Sequence, residues 1–420
     1  MLLRGDEKAM LAGEAGQPRR WALKHQCQVG AFFDAENLVP VGQAHIMADT
    51  ESLGVHGVEF LEGLAKLPAG ERRVRVPTIT DPRGVDFRHY KQLGQKQWMA
   101  DLEARAIAAF EALGILMTDT CINYQTIMPP VMGEHMAYGD TGVVIYSNSV
   151  LGARTNFEGG PSALAAALTG RTPRYGFHLD RNRRGTHRFI AECEMGDFSD
   201  WGVLGGVIGR ASGGYWTVPV IEGIANPPGS DELKHFGAAM ASYGSVGLFH
   251  MVGVTPEAPD AANAWDNAPP EPQVIRQSDL DKFYTSYGAD GEKVDVVVFS
   301  APQLSLIEMS ALADRLDGRK VHMATTLLAV TSPEVKSAAD RMGLTERIEA
   351  SGALVLSGVC FYQSYAREMA EANGWRRLLT NSAKLVNIIS GYGYLPTLAS
   401  MDACVDSAVS GRIGRQRSVA

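Results

Sequence analysis

The chain is poor in cysteine, with five in 420 residues, at positions 27, 121, 193, 360 and 404, and no two of them form a C-x-x-C pair. Five thiols are too few to staple a protein of this length, which excludes a disulfide scaffold, and the missing pair removes support for a zinc ribbon or a ferredoxin. Long apolar runs are lacking too, so no segment is expected to cross a bilayer. Residues 1–13 carry Arg4, Asp6, Glu7 and Lys8 without an apolar stretch, and no signal peptide is read there. The expected location is therefore cytoplasmic. Basic charge is in deficit: 39 Lys and Arg against 47 Asp and Glu give a formal net charge of −8. That balance argues against non-specific nucleic-acid binding. No periodic repeat and no low-complexity tract interrupts the chain.

What is present is an ordinary globular composition, 45% hydrophobic and 20% charged, long enough for two or three domains. In the first part, Arg73 to Thr78 reads as a strand, Asp81-Pro82 and Gly84 mark a turn, Tyr90 to Leu113 reads as a long helix and Ile115 to Met117 as a short strand. Thr255 to Gln277, rich in Pro, Ala and Asp, reads as a long surface loop or boundary. This divides the chain into a region 1–277 of two interleaved subdomains and a C-terminal α/β domain 278–420. In the latter, Val296 to Phe299 is a continuous apolar run, the mark of a strand covered on both faces. Ser305 to Glu308 is a capping box for a helix through Leu316. A second strand is read over His322 to Val330. Ser332-Pro333 opens another helix ending at Gly343, and Ala353 to Ser357 is a third strand. Strands alternating with helices imply parallel sheets with ligands beyond the strands' carboxyl ends.

The stretch 147–173 is the densest in polar groups. Val143 to Tyr146 reads as a buried strand running into a loop with Ser147, Asn148, Ser149, Arg154, Thr155 and Asn156. A short helix with Pro161 at its first position and Gly170 past its end follows. Amide, hydroxyl and guanidinium donors before a helix N-terminus suit a carboxylate, which Arg154 could take through two parallel bonds. A polar loop that only caps a strand is the plainer alternative.

Cys121 and Cys360 each follow a strand, as functional thiols do. Cys404 lies near the start of a short terminal helix, where a thiolate is favoured. Cys27 and Cys193 are assigned to packing. His45, in the loop after Pro40, could reach substrate or serve only its loop. His250 reads as a core histidine; Thr78 and Asp86 could line the cleft, with turn-capping the simpler account. Arg181, Arg183, Arg184, His187 and Arg188 could grip a phosphate or form a solvated basic loop.

Several blocks, in order along nearly the whole chain, resemble the large subunit of the aconitase X family. They are NSVLGARTN at 148–156 and EGGPSALAAALTGRTP at 158–173, AHI at 44–46 with GVEFLE at 57–62, Thr120-Cys121 with Tyr124-Gln125, LFHMVGVTPE at 248–257, and TNSAK at 380–384. The resemblance implies an aconitase-like multidomain α/β fold that lacks the fourth, swivelling domain. It implies a hydro-lyase dehydrating cis-3-hydroxy-L-proline to pyrroline-2-carboxylate or, alternatively, mevalonate 5-phosphate. It further implies an iron-sulfur cluster (two-iron two-sulfur) or mononuclear iron with Cys121 as a ligand, and the placement of Cys360 and Cys404 makes them the expected remaining ligands. A small swivel subunit, supplied as a separate chain, would bring a serine base. His45 and Lys384 become catalytic candidates, and Asn381 and Ser382 join the loop residues as substrate ligands.

Three blocks depart from that resemblance. Ile122-Asn123-Tyr124 stands where many relatives have Thr-Pro-Tyr. Ser300-Ala301-Pro302-Gln303 stands where many have Gly-Cys-Pro-His or Gly-Thr-Pro-His, and Ser357-Gly358-Val359 precedes Cys360 where Asp-Thr is frequent. Position 301 thus supplies no thiol, and a contact at 303 is altered. The departures leave room for a changed substrate, a changed metal centre or a non-catalytic carboxylate-binding relative.

Overall fold

The structure, a computed structural model, describes residues 1–288 and 291–414; the C-terminal ends of the 278–420 assignment and positions 289 and 290 lie outside the described residues. Three parallel sheets organise it. Near the amino terminus, β1 (Leu38–Pro40) pairs antiparallel with β5 (Arg171–Pro173), flanking a parallel sheet of β2 (Ala44–Ile46), β3 (Thr78–Thr80) and β4 (Ala137–Tyr138) in the order β3-β2-β4. Helix Gly159–Thr169 covers it with a buried run, Ala163 to Thr169, whose four alanines allow close approach. Gly170, at φ 73°, closes that helix as expected, whereas Pro161 is its third residue and not its first.

The second sheet has order β8-β7-β6-β9, from β6 (His187–Glu192), β7 (Pro219–Glu222), β8 (His250–Met251) and β9 (Gln273–Arg276), all parallel. Its helices Phe198–Ser212 and Ser230–Gly244 touch backbone to backbone. A Cβ on Gly205 would lie 2.1 Å from the Phe236 carbonyl oxygen, and one on Gly244 2.2 Å from that of Gly209. Only glycine fits such a contact.

The third sheet comprises β10 (Val296–Leu304), β11 (Thr326–Thr331), β12 (Leu354–Ser357), β13 (Arg377–Thr380) and β14 (Leu395–Leu398), parallel throughout in the order β12-β11-β10-β13-β14. All nine residues of β10 are buried, as its apolar run predicts. Ser305 caps helix Leu306–Leu316 through Glu308 N–H, with Glu308 reaching back to Ser305 N–H at 2.9 Å. Helix Pro333–Arg341 opens at Ser332, and Gly343 leads into helix Leu344–Ala350. The order reverses direction at β10 and β13, so a crevice opens beyond their carboxyl ends.

Several local expectations are corrected. Val143 to Tyr146 is not a strand but part of helix Thr141–Ser149, capped by Asp140, whose carboxylate accepts from Val143 N–H at 3.0 Å. Four consecutive apolar residues buried on all sides carry no period to tell helix from strand. Arg73–Thr78 contributes only its last residue to a strand, because β3 is Thr78–Thr80. Around Ile115 there is a single bridge, Ile79 to Leu116. The helix read from Tyr90 begins at Gln97. His45 lies in β2, not in a loop. The 255–277 stretch ends as β9, hydrogen-bonded to β6. No helix among the described residues is long and apolar enough to cross a membrane.

Candidate active site

The carboxyl ends of the first and third sheets face one another. Arg83, after β3, makes a parallel bridge with Val359, after β12; its guanidinium reaches Asp119 at 2.5 Å and the Ser357 carbonyl at 3.1 Å. Ser357 N–H in turn donates to Asp86 at 2.9 Å. Asp86 thus spans two sheets, more than the turn cap expected of it.

At this junction sit Cys121 and Cys360, both buried. Burial pushes the Cys121 thiol up to about 12, with Asp140 and Asp81 adding to it and Lys384 opposing. Burial also pushes Cys360 well up, next the charge of Cys121, again against Lys384. The same charges therefore act on both thiols. Lys384, in the helix Ala383–Ile389 that follows β13, stands 3.5 Å from Asp140 Oδ2, and its ammonium lies 5.7 Å from the Tyr362 ring centroid. Burial alone would discharge this lysine, but Asp140, both thiols and Asp81 hold its pKa above the ordinary value. Burial alone would likewise raise Asp140. The Lys384 ammonium and the Val143 N–H keep it below the usual carboxylate range.

Asp81, at the end of β3, has no hydrogen-bond partner on either oxygen. Burial and the Asp140 charge push its pKa well above the ordinary value, against the Lys384 ammonium. His45 Nε2 bonds the Thr120 carbonyl at 2.8 Å and lies 3.6 Å from Asp81. A carbonyl only accepts, so Nε2 carries the proton, and Nδ1 is left an acceptor without a partner. Burial depresses the His45 pKa, which keeps the ring neutral.

The remaining expected residues lie as follows. Asn381 follows β13, its Nδ2 buried and unpartnered. Ser382 caps the Lys384 helix through Leu385 N–H and donates to the Ala301 carbonyl. Within the 147–156 group, several side chains hydrogen-bond backbone groups of the fold. Asn148 Nδ2 donates to the Thr155 and Gly247 carbonyls, at 2.9 and 2.8 Å. Ser149 Oγ accepts from Phe249 N–H, Thr155 Oγ1 from Tyr138 N–H and Asn156 Oδ1 from Phe177 N–H. Ser147 Oγ is buried without a partner. Arg154 is bridged to His135, at the amino end of β4, and its guanidinium pairs with Asp180 at 2.5 Å. Asp140 follows β4 at its opposite, carboxyl end. Three arginines of the basic loop have carboxylate partners: Arg183 pairs with Glu257, Arg184 with Asp266 at 3.0 Å and Arg188 with Glu222 at 2.8 Å. His250 is a core histidine, bonding the Arg183 carbonyl at 2.6 Å.

Cys404 is corrected as a ligand candidate. It lies in helix Met401–Ser410, fully buried in the apolar core, with its sulfur 3.8 Å from the Ala399 carbonyl. Burial pushes its thiol well up, aided by Asp197, so the helix terminus is outweighed. Position 301 is alanine. Among the described residues no set of three or more His, Cys, Asp or Glu side chains is arranged to hold a metal ion. The donor chemistry therefore fits a group anchored by the thiols of Cys121 and Cys360 and does not fit one closed by three cysteines. Sequence reasoning passed over Asp81 and Asp140. Asp140 directly precedes an apolar run, which is a helix-cap signal; Asp81 precedes Pro82 and reads as an ordinary turn.

Comparison with known proteins gives the family. Family models match along the chain as the aconitase X first domain (residues 1–181), second domain (185–285) and third domain (294–410). The phosphomevalonate dehydratase large subunit of Methanothermobacter thermautotrophicus is 35% identical over 406 residues, covering 95% of each chain. The cis-3-hydroxy-L-proline dehydratase of Pseudomonas aeruginosa is 33% identical over 413 residues, 97% of this chain and 70% of that one. The crystal structure of Thermococcus kodakaraensis aconitase X in its holo-form superposes with a TM-score of 0.87 at 30% identity, covering 97% of this chain and all of that one. The relatives' name, large subunit, implies a small-subunit partner, and the aconitase-like family suggests an iron-sulfur cofactor. Three aconitase X domains in order along the chain, and dehydratase relatives 33–35% identical over 95–97% of it, make the chain a dehydratase of the aconitase X family.

Proposed function

We propose that this chain is the large subunit of a two-chain hydro-lyase that dehydrates cis-3-hydroxy-L-proline to pyrroline-2-carboxylate. The observation that carries the reading is the convergence of Cys121, Cys360, Lys384 and Asp140 at the facing strand ends. An iron or iron-sulfur group on Cys121 and Cys360 would supply Lewis acidity to the departing hydroxyl. Its loading must displace the thiol protons that burial retains. Lys384, held by Asp140, offers a fixed ammonium to the substrate carboxylate and to the negative charge that grows as the α-proton leaves. The walls of the junction exclude water, which strengthens that charge. A small swivel subunit would bring the base to the α-carbon. The unmatched 30% of the Pseudomonas relative leaves room for such a domain.

Charge favours an amino acid over a phosphorylated substrate. Lys384 is already balanced by Asp140, and Arg183, Arg184 and Arg188 each have a carboxylate partner. That arrangement suits a zwitterion better than a phosphomonoester. Mevalonate 5-phosphate is the second reading, supported by relatives of that name that match over 95–98% of their length. Assaying the full chain with its cognate small subunit on both substrates separates the two. Turnover of the hydroxyproline is expected, and turnover of mevalonate 5-phosphate alone would overturn the proposal.

A further inference from the structure

Gln303, at the carboxyl end of β10, is completely buried and hydrogen-bonded on both sides of its amide. Its Oε1 accepts from Cys121 N–H at 3.1 Å. Its Nε2 donates to the Asp119 carbonyl at 3.1 Å and the Val359 carbonyl at 3.2 Å, with the Thr331 carbonyl at 3.4 Å. Cys121 N–H can only donate, so the amide's orientation is fixed. Asp119 and Cys121 belong to the first unit; Val359 precedes Cys360 in the third. One side chain thus spans the two loops that carry the thiols.

Its own anchor is buried as well. The Gln303 carbonyl accepts from Lys234 Nζ at 3.2 Å, and Lys234 pairs with Glu308, to which His235 is bonded at 2.6 Å. Ser305 hydroxyl donates to Asp231, which lies 3.3 Å from Lys234. All three units are therefore joined at this position.

We propose that Gln303 is a positioning residue that sets the separation and orientation of Cys121 and Cys360, so that they act as one bidentate thiol pair. The inference rests on the reading of those two cysteines as the metal-anchoring pair. An apolar side chain of similar size fills the space but leaves the Cys121 N–H and two carbonyls without partners, and the two loops then separate or shift. An imidazole there, as in the resembling blocks, cannot make the same set of bonds, because a neutral ring has one donor and one acceptor.

The test is titration of the full, reduced, metal-free chain with cadmium, read by the ultraviolet charge-transfer absorption of cadmium thiolate. The wild-type chain is expected to bind one ion with the band of two thiolates. C121S and C360S should each halve that band, and C404S should leave it unchanged. Gln303→Leu is expected to weaken cadmium binding at least tenfold at a temperature where its circular dichroism matches the wild type. Gln303→Met serves if the leucine variant does not fold. Retention of wild-type affinity and band by a folded variant would overturn the role of Gln303. Failure of the wild-type chain to give a two-thiolate band would instead overturn the reading of the cysteine pair.

Discussion

Lys384 Nζ lies 3.5 Å from Asp140 Oδ2 across 244 residues of sequence, the lysine following β13 and the aspartate following β4. Both are buried, so each charge depends on the other. The pair fastens the third sheet to the first and places one ammonium beside Cys121 and Cys360.

Lys384→Met should therefore cost stability as well as activity. It leaves the Asp140 carboxylate buried and alone, at about 3–5 kcal/mol. Adding Asp140→Asn should recover much of that stability while activity stays lost by about 10²-fold or more. Denaturant unfolding and turnover of the two variants check this; recovery of activity together with stability would contradict the role given to Lys384.

A second expectation concerns pH. Glu103 accepts from the Thr50 hydroxyl at 2.6 Å and Gly84 N–H at 3.2 Å, and Thr50 also bonds Tyr365. Burial raises its pKa from 4.5 to about 7, against the Thr50 bond and with the help of Asp49. A carboxyl raised on folding contributes stability that is complete below the unfolded pKa and is lost as pH rises through the folded one. Between about pH 4.5 and 8 the wild type should lose about 3 kcal/mol relative to Glu103→Gln. Urea midpoints across that range measure it, and parallel curves would refute it.

The backbone contact between helices Phe198–Ser212 and Ser230–Gly244 makes a third. Gly205→Ala places a methyl 2.1 Å from the Phe236 carbonyl oxygen. The helices must separate, at a cost of about 3 kcal/mol or more. Gly213→Ala is a poor control because of its φ of 71°, whereas Gly63, open on all sides, should tolerate alanine. Thermal melts of the two alanine variants should differ widely.

What could be read from the residues was local. The Ser305–Glu308 capping box and the apolar core of β10 carry their signals within a few positions, and both were found where the pattern puts them. Placement of Cys121 and Cys360 after strands follows from the same logic, although the Ile115 strand shrank to one bridge. Illegible were the long-range commitments. Nothing near Arg154 announces Asp180, and nothing near Cys404 announces that core packing outweighs its helix terminus. Val143 to Tyr146 has apolar residues without a period, and only the cap at Asp140 discriminates. In the polar 147–156 group, the backbone partners of Asn148, Ser149, Thr155 and Asn156 lie beyond any local pattern.

The central claim is that Cys121 and Cys360, without Cys404, anchor the metal group. Iron analysis of anaerobically purified protein, as wild type, C121S/C360S and C404S, tests it most directly. Iron should be present in the wild type and in C404S and lost from the double variant. A wild type that is fully active yet free of iron, or a double variant that keeps its iron, would contradict the account.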